Sequence, residues 1–184
     1  MTEVAQRYGR IADAFTGRLT AVPPGTWTSA SPCEGWTAHD VAKHVVDTHR
    51  RILTRLSGGD PTPPDTDEDL AAAWSVESEA VRAALADPAR AATEVQGMGG
   101  SQPFEELVSG VLCADTLLHT WDLARATGQD ERLDPGAAEA AYAFLQPNDE
   151  MLRVPGGFGP KVDPPDGADV QTQLLCFTGR SPLR

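Results

Sequence analysis

Apolar residues return every three or four positions at Val4, Tyr8, Ile11, Phe15 and Leu19. That is the spacing of one helix face, and it predicts an amphipathic helix over residues 2–21, stopped by Val22-Pro23-Pro24-Gly25. After a loop, Thr37 stands where an N-cap would, with Asp40 three residues on, a variant of the capping box. Val41, Val45, Ile52 and Leu56 then mark the core side of a second helix that Ser57-Gly58-Gly59 ends. A Pro- and Asp-rich loop, 60–69, leads to a third helix through Leu70, Trp74, Glu77, Val81 and Leu85, closed at Asp87-Pro88. Thr93-Glu94-Val95 can pair with Gln102-Pro103-Phe104 across the glycine-rich turn Gly97-Met98-Gly99-Gly100 as a small hairpin. A fourth helix is predicted from Phe104 to about Ala126 with Gly128 at its C-terminus, and a fifth from Asp134-Pro135 to Leu145. Residues 146–168 are Pro- and Gly-rich, and Asp169 to Phe177 form a short terminal helix. The pattern predicts an all-α protein: a four-helix bundle with a short hairpin and extra C-terminal helices, forming a single domain over residues 1–184.

The fourth helix breaks its own pattern. Its face through Val108, Leu112, Asp115, His119, Asp122 and Ala126 begins as a core stripe and then carries three polar groups. A buried carboxylate beside a buried imidazole costs several kcal/mol unless both find partners. A divalent metal would serve both, and zinc, nickel and iron(II) accept this ligand chemistry. The alternative is an Asp115–His119 hydrogen bond with no metal. An Asp-x-x-x-His pair supplies two ligands, so a third must come from a facing helix. His44 and His49 flank opposite sides of the second helix's stripe, and periodicity does not choose between them; His39, in the first turn, points away from the core side. Asp122 is read as accepting an N–H from a ligating imidazole, or pairing with Arg125, ahead of direct ligation.

Composition narrows the function classes. At 184 residues the chain is long enough for one domain with a real core, and 40% hydrophobic content makes it globular rather than disordered. A net charge of −12 repels phosphate backbones, so no nucleic-acid partner is expected. Arg50, Arg51 and Arg55 make a local basic cluster, read as a solvated helix face in preference to an anion site. No apolar run is long enough to span a membrane, and the N-terminus has no signal pattern, so the expectation is a cytoplasmic protein with no membrane partner. Cys33, Cys113 and Cys176 are odd in number and scattered, as reduced thiols would be. Cys33 precedes a helix start, where a thiol pKa can fall, but it reads as a plain loop cysteine. Trp36 and Trp121 read as packing residues.

Ser31-Pro32-Cys33-Glu34-Gly35-Trp36-Thr37, Asp40-Val41 with His44, and His119-Thr120-Trp121-Asp122-Leu123-Ala124 with Thr127-Gly128 together resemble a known family. They are similar to actinobacterial metal-binding proteins related to the N-terminal domain of mycothiol-dependent maleylpyruvate isomerase, in the DinB-like superfamily. The likeness extends to Phe158-Gly159-Pro160 and the Gly179-Arg180 ending. It implies a DinB-like bundle holding a divalent metal, zinc or nickel, through His44, Asp115 and His119. The chain has Asp at position 115 where the isomerase pattern has Glu, and the expectation from the sequence is a protein without the isomerase's separate C-terminal domain.

Three functions are compatible with these residues. The resemblance implies a mycothiol-dependent transferase or isomerase, in which a metal-bound thiol attacks a small electrophile. Metal-assisted hydrolysis would use the same ligands with Asp122 or His49 as general base. A non-enzymatic metal-binding module is the third. Monomer and homodimer remain equally compatible.

Overall fold

The computed structural model describes residues 1–59, 69–97, 99–154 and 157–182. Four helices build the core: α1 (Glu3–Thr20), α2 (Ala38–Ser57), α3 (Leu70–Ala86) and, after α4 (Pro88–Ala91) and α5 (Phe104–Leu107), α6 (Cys113–Thr127). Around the bundle they neighbour one another in the order α1, α3, α2, α6, so α2 faces α6 directly and lies diagonal to α1. Each start is locally encoded. Thr2 and Asp69 cap α1 and α3, and Thr37 with Asp40 completes a full capping box on α2. Gly58 and Gly128 close α2 and α6. The predicted hairpin is present, β1 (Glu94–Gly97) against β2 (Gly100–Pro103), antiparallel with Val95 opposite Gln102. Of the expected loop 60–69, only Asp69 is among the described residues, and Met98 of the glycine-rich turn also lies outside them.

The core is apolar and aromatic where α1, α2 and α3 meet. Phe15 stands edge-on to Trp74 at 4.7 Å, and the Trp74 indole N–H donates to Thr16 Oγ1 at 2.8 Å. Tyr8, Val45, Val81, Leu117 and Trp121 are essentially inaccessible to solvent. Behind α6 lies α7 (Pro135–Leu145), and α9 (Val170–Phe177) packs on α7. Between them, the Pro- and Gly-rich stretch contains a 3-10 turn at Gln146–Asn148 and the short helix α8 (Asp149–Leu152).

One expectation needs correction. The helix predicted to run unbroken from Phe104 is interrupted by a π-helical turn at Val108–Leu112 between α5 and α6. Packing accounts for it. Gly110 in that turn lies against Phe144 of α7, and a Cβ there would sit 2.4 Å from the Phe144 ring. The neighbouring Ser109 accepts from Arg7 of α1 at 2.6 Å. An extra residue in the turn lets α7 approach closely and resets the phase of α6 just before Asp115.

Candidate metal site

α2 and α6 present their polar residues to each other near one end of their contact. His44, in the second turn of α2, points its Nε2 at Asp115 Oδ1 across the gap, 3.0 Å away. His119, one turn beyond Asp115 on α6, has its Nε2 3.6 Å from the same oxygen. The ligand atoms of all three lie within 4.8 Å of one another. The observed 3.0 and 3.6 Å bracket the separation of about 3.3 Å between ligands held tetrahedrally about 2 Å from an ion. Asp115 Oδ2 is buried without a hydrogen-bond partner, and among the described residues it is the one buried side-chain oxygen in that state. A lone-pair donor with no N–H or O–H to accept from is what a cation would satisfy. Burial pushes the Asp115 carboxyl up, but the His119 imidazole and a hydrogen bond from His44 outweigh it and hold it below its ordinary value.

Behind His119 lies a second layer. Its Nδ1 donates to Asp122 Oδ2 at 2.9 Å, which leaves Nε2 as the lone-pair nitrogen facing Asp115. Asp122 is fully enclosed and is gripped at both oxygens by Arg180, Nε to Oδ1 at 2.8 Å and Nη2 to Oδ2 at 2.6 Å. Burial alone would raise the Asp122 carboxyl; the Arg180 guanidinium, with its hydrogen bonds and those of His119, instead holds it well below the usual carboxylate range. Cys33 Sγ, in the loop before α2, donates to Asp122 Oδ2 at 3.4 Å. Cys33, His119 and Asp122 also cluster closely enough to hold an ion. With Asp122 already neutralised by Arg180, that group has no charge left for a cation.

The outer wall is aromatic. The half-buried Trp36 ring lies 5.0 Å from the His44 ring and stacks on His119 at 5.9 Å and 23°. Trp36 packs against the core and the two imidazoles, and Trp121 is fully buried under Arg125, both as expected.

The other candidates go elsewhere. His49 is sealed in the core: its Nδ1 donates to Val45 O at 2.8 Å, and its Nε2 accepts from the Tyr8 hydroxyl at 3.0 Å. Burial drives its pKa down to about 4. His39 sits edge-on to Trp27 at the start of α2. Arg125 pairs with Glu131 and donates to Pro182 O, and the guanidinium that grips Asp122 is that of Arg180. Cys33 is a loop cysteine as expected, and its thiol is not activated. Burial, reinforced by the Asp122 carboxylate, pushes it up to about 12. Arg180 was not anticipated as a site residue. The usable signal was Asp122 itself, a stripe carboxylate in need of a cation, but nothing local names a partner 58 residues away.

The model of the mycothiol maleylpyruvate isomerase N-terminal domain matches residues 8–124. The chain belongs to that family. Its fold is accordingly the all-α, DinB-like bundle. The match contains Cys33, His44, Asp115, His119 and Asp122, and Arg180 lies beyond it. Two proteins of Mycobacterium tuberculosis, "Uncharacterized protein MT0763" of strain CDC 1551 / Oshkosh and "Uncharacterized protein Rv0738" of strain H37Rv, are each 30% identical over 177 residues, 94% of either chain. No solved structure matches at a significant level. No helix among the described residues is long and apolar enough to cross a membrane.

Proposed function

We propose that this protein binds a divalent cation, zinc or nickel, through His44, Asp115 and His119, and presents it to the thiol of a small molecule, which then attacks a small electrophile in a transfer or isomerisation. Mycothiol, named in the family's description, is the thiol this reading favours. The observation that carries it is the Asp115 carboxylate, with one oxygen facing two imidazole nitrogens and the other buried without a partner.

A bound divalent cation would keep such a thiol as its nucleophilic thiolate at neutral pH. The chain's own groups prepare the place. Asp122 fixes the proton of His119 on Nδ1, and Arg180 keeps Asp122 ionised so that this orientation holds. Trp36 limits water on the open side of the two imidazoles. Cys33, with its thiol pushed up to about 12, stays protonated and does not compete as a thiolate. Arg180 follows α9 and yet bonds to α6, so the reading takes residues 1–184 as one domain. Hydrolysis is disfavoured because both residues considered as its general base, Asp122 and His49, are enclosed and engaged. A thiol-using role also fits a reducing, cytoplasmic setting.

Metal analysis of the purified protein and of His44→Ala, Asp115→Ala and His119→Ala tests the ligand set. Stoichiometric metal in the wild type and loss in each variant is expected; full metal in all three variants would overturn it. Cobalt-substituted protein should then develop a thiolate-to-cobalt absorption band on adding a thiol.

A further inference from the structure

Threonines inside the helices of this protein direct their hydroxyl proton to their own helix. Thr54, on α2, donates to Arg50 O at 2.8 Å. On α6, Thr116, Thr120 and Thr127 donate to the carbonyl four residues back at 2.8, 2.7 and 2.6 Å. That bond is the ordinary use of a helical threonine hydroxyl. Thr48 departs from it. The residue is only 7% exposed, and its Oγ1 stands 3.4 Å from the Nε2 of the His44 ring, one turn back on α2. Arg51 Nη2 donates to the same oxygen at 2.8 Å.

The protons around that oxygen can be followed one by one. A guanidinium has no lone pair, so toward Arg51 the Thr48 oxygen only accepts. His44 Nε2 has its shorter contact with Asp115 Oδ1, at 3.0 Å, and there the imidazole N–H donates when no ion is bound. A bound cation would take the lone pair of the same nitrogen. In neither case does Nε2 accept from Thr48. The hydroxyl keeps a proton to donate and has no acceptor for it among the described residues. A buried donor in that state is costly until something completes it. Its neighbour on that side is a ligand atom of the candidate metal site, so the acceptor that completes it belongs to the molecule in the open position.

Resting on the metal–thiol reading above, we propose that Thr48 donates a hydrogen bond to the sulfur of the small thiol, with Arg51 holding the hydroxyl so that its proton faces the site. Arg51 is exposed, as expected of the basic cluster on α2, and it occupies the accepting side of the oxygen from without. A thiolate accepts a hydrogen bond more strongly than a neutral thiol, so this bond favours the nucleophilic form. It also sorts ligands by their lone pairs. A thiolate keeps lone pairs after meeting a metal; an imidazole gives its single ring lone pair to the metal and has nothing left to accept with.

The test uses the full-length cobalt-substituted protein, with ethanethiol and imidazole as probes, in the wild type, Thr48→Val and Thr48→Ser. Thr48→Ala repeats the Thr48→Val comparison without a branched side chain to accommodate. Ethanethiol should bind about tenfold more weakly to Thr48→Val than to the wild type, the loss of one hydrogen bond to a charged acceptor. Its thiolate-to-cobalt band should also move to longer wavelength, because a hydrogen bond lowers the energy of the sulfur lone pair and its removal raises it. Thr48→Ser should restore both, and imidazole should bind all of them alike. An unchanged affinity and band for ethanethiol in Thr48→Val and Thr48→Ala overturn the assignment and leave the metal–thiol reading standing. Equal weakening of ethanethiol and imidazole also overturns it, since Thr48 would then act only on the shape of the site. Loss of cobalt from both variants does the same, because the hydroxyl would then be holding the metal. If ethanethiol produces no band in the wild type, the metal–thiol reading fails, and this inference with it.

Discussion

His44 and His49 lie five residues apart on the same helix and live in opposite surroundings. His49 looks across the bundle to α1 and α3, where the Tyr8 hydroxyl meets its Nε2 and Trp74 stands edge-on at 4.7 Å, while its Nδ1 donates to Val45 O one turn back on α2. His44 looks toward α6, half-buried, with its Nε2 beside a carboxylate that has a spare oxygen. A helix turns 100° per residue, so five positions swing a side chain well away from its starting face. One histidine is built into the fold and completed by it; the other is left incomplete, and incomplete groups are where a ligand can contribute. His119 joins the two conditions, enclosed like His49 at Nδ1 and open like His44 at Nε2.

The largest expected effect tests the enclosed side of His119. Arg180→Met removes the cation that grips the buried Asp122, and breaking one half of a buried pair typically costs about 3–5 kcal/mol. Urea unfolding should show that loss, and Asp122→Asn in the same background should recover much of it. Wild-type stability in Arg180→Met would mean that Asp122 is not charged, and the account of His119's orientation would fall.

Next comes His49. The unfolded histidine takes up a proton near its ordinary value of 6.5, while the folded one resists until about 4. Its contribution is therefore complete above pH 6.5 and is lost as pH falls from 6.5 to 4, about 3 kcal/mol in all. The stability gap between wild type and His49→Gln should narrow across that window. Asp122 works in a different range. Its depressed pKa keeps its contribution intact above the ordinary carboxylate value of 3.8, with loss only below it. If the wild type and His49→Gln lose stability in parallel from pH 6.5 to 4, then His49 is not sealed.

A smaller effect concerns ligand linkage. Added metal at a hundred times its dissociation constant should stabilise the wild type by about 2.7 kcal/mol, seen as a rise in melting temperature. Asp115→Asn, which removes the charge but keeps the shape, should lose most of that rise. An undiminished rise in Asp115→Asn would place the ion elsewhere.

These contrasts also mark how far the sequence could be read. Helices α1, α2 and α3, the capping box on α2 and the hairpin follow from local rules, because periodicity and capping chemistry act over a few residues. The π turn at Val108–Leu112 does not, since its cause is the contact of Gly110 with Phe144 on another helix. Asp115 and His119 were legible as polar residues on an apolar stripe. The third member was not, because His44 and His49 flank the core stripe of α2 equally and only the identity of the facing helix separates them. Family likeness favoured His44, and the geometry brings His44, not His49, to Asp115. Arg180 was hidden for the same reason. Gly179, at φ +85° and with its α-carbon so close that a Cβ would lie 2.9 Å from Pro160 O, seats the Arg180 backbone. That seating depends on the loop at Gly159-Pro160, far from Asp122 in sequence.

The smallest stability effect is the most pointed test of the opening contrast. His44→Ala removes an imidazole that is 28% exposed and whose hydrogen bond goes to a carboxylate that water can also reach at that edge. The metal-free protein should therefore lose no more than about 1 kcal/mol, the usual range for a partly exposed polar truncation. His49→Ala opens a cavity in the core and orphans the Tyr8 hydroxyl, so it should cost about 3 kcal/mol. Metal affinity should reverse the order, falling steeply in His44→Ala and little in a folded His49→Gln. Parallel urea titrations and metal titrations on these variants give the four numbers. If His44→Ala is as destabilising without metal as His49→Ala, then His44 is a structural group and α2 contributes no ligand.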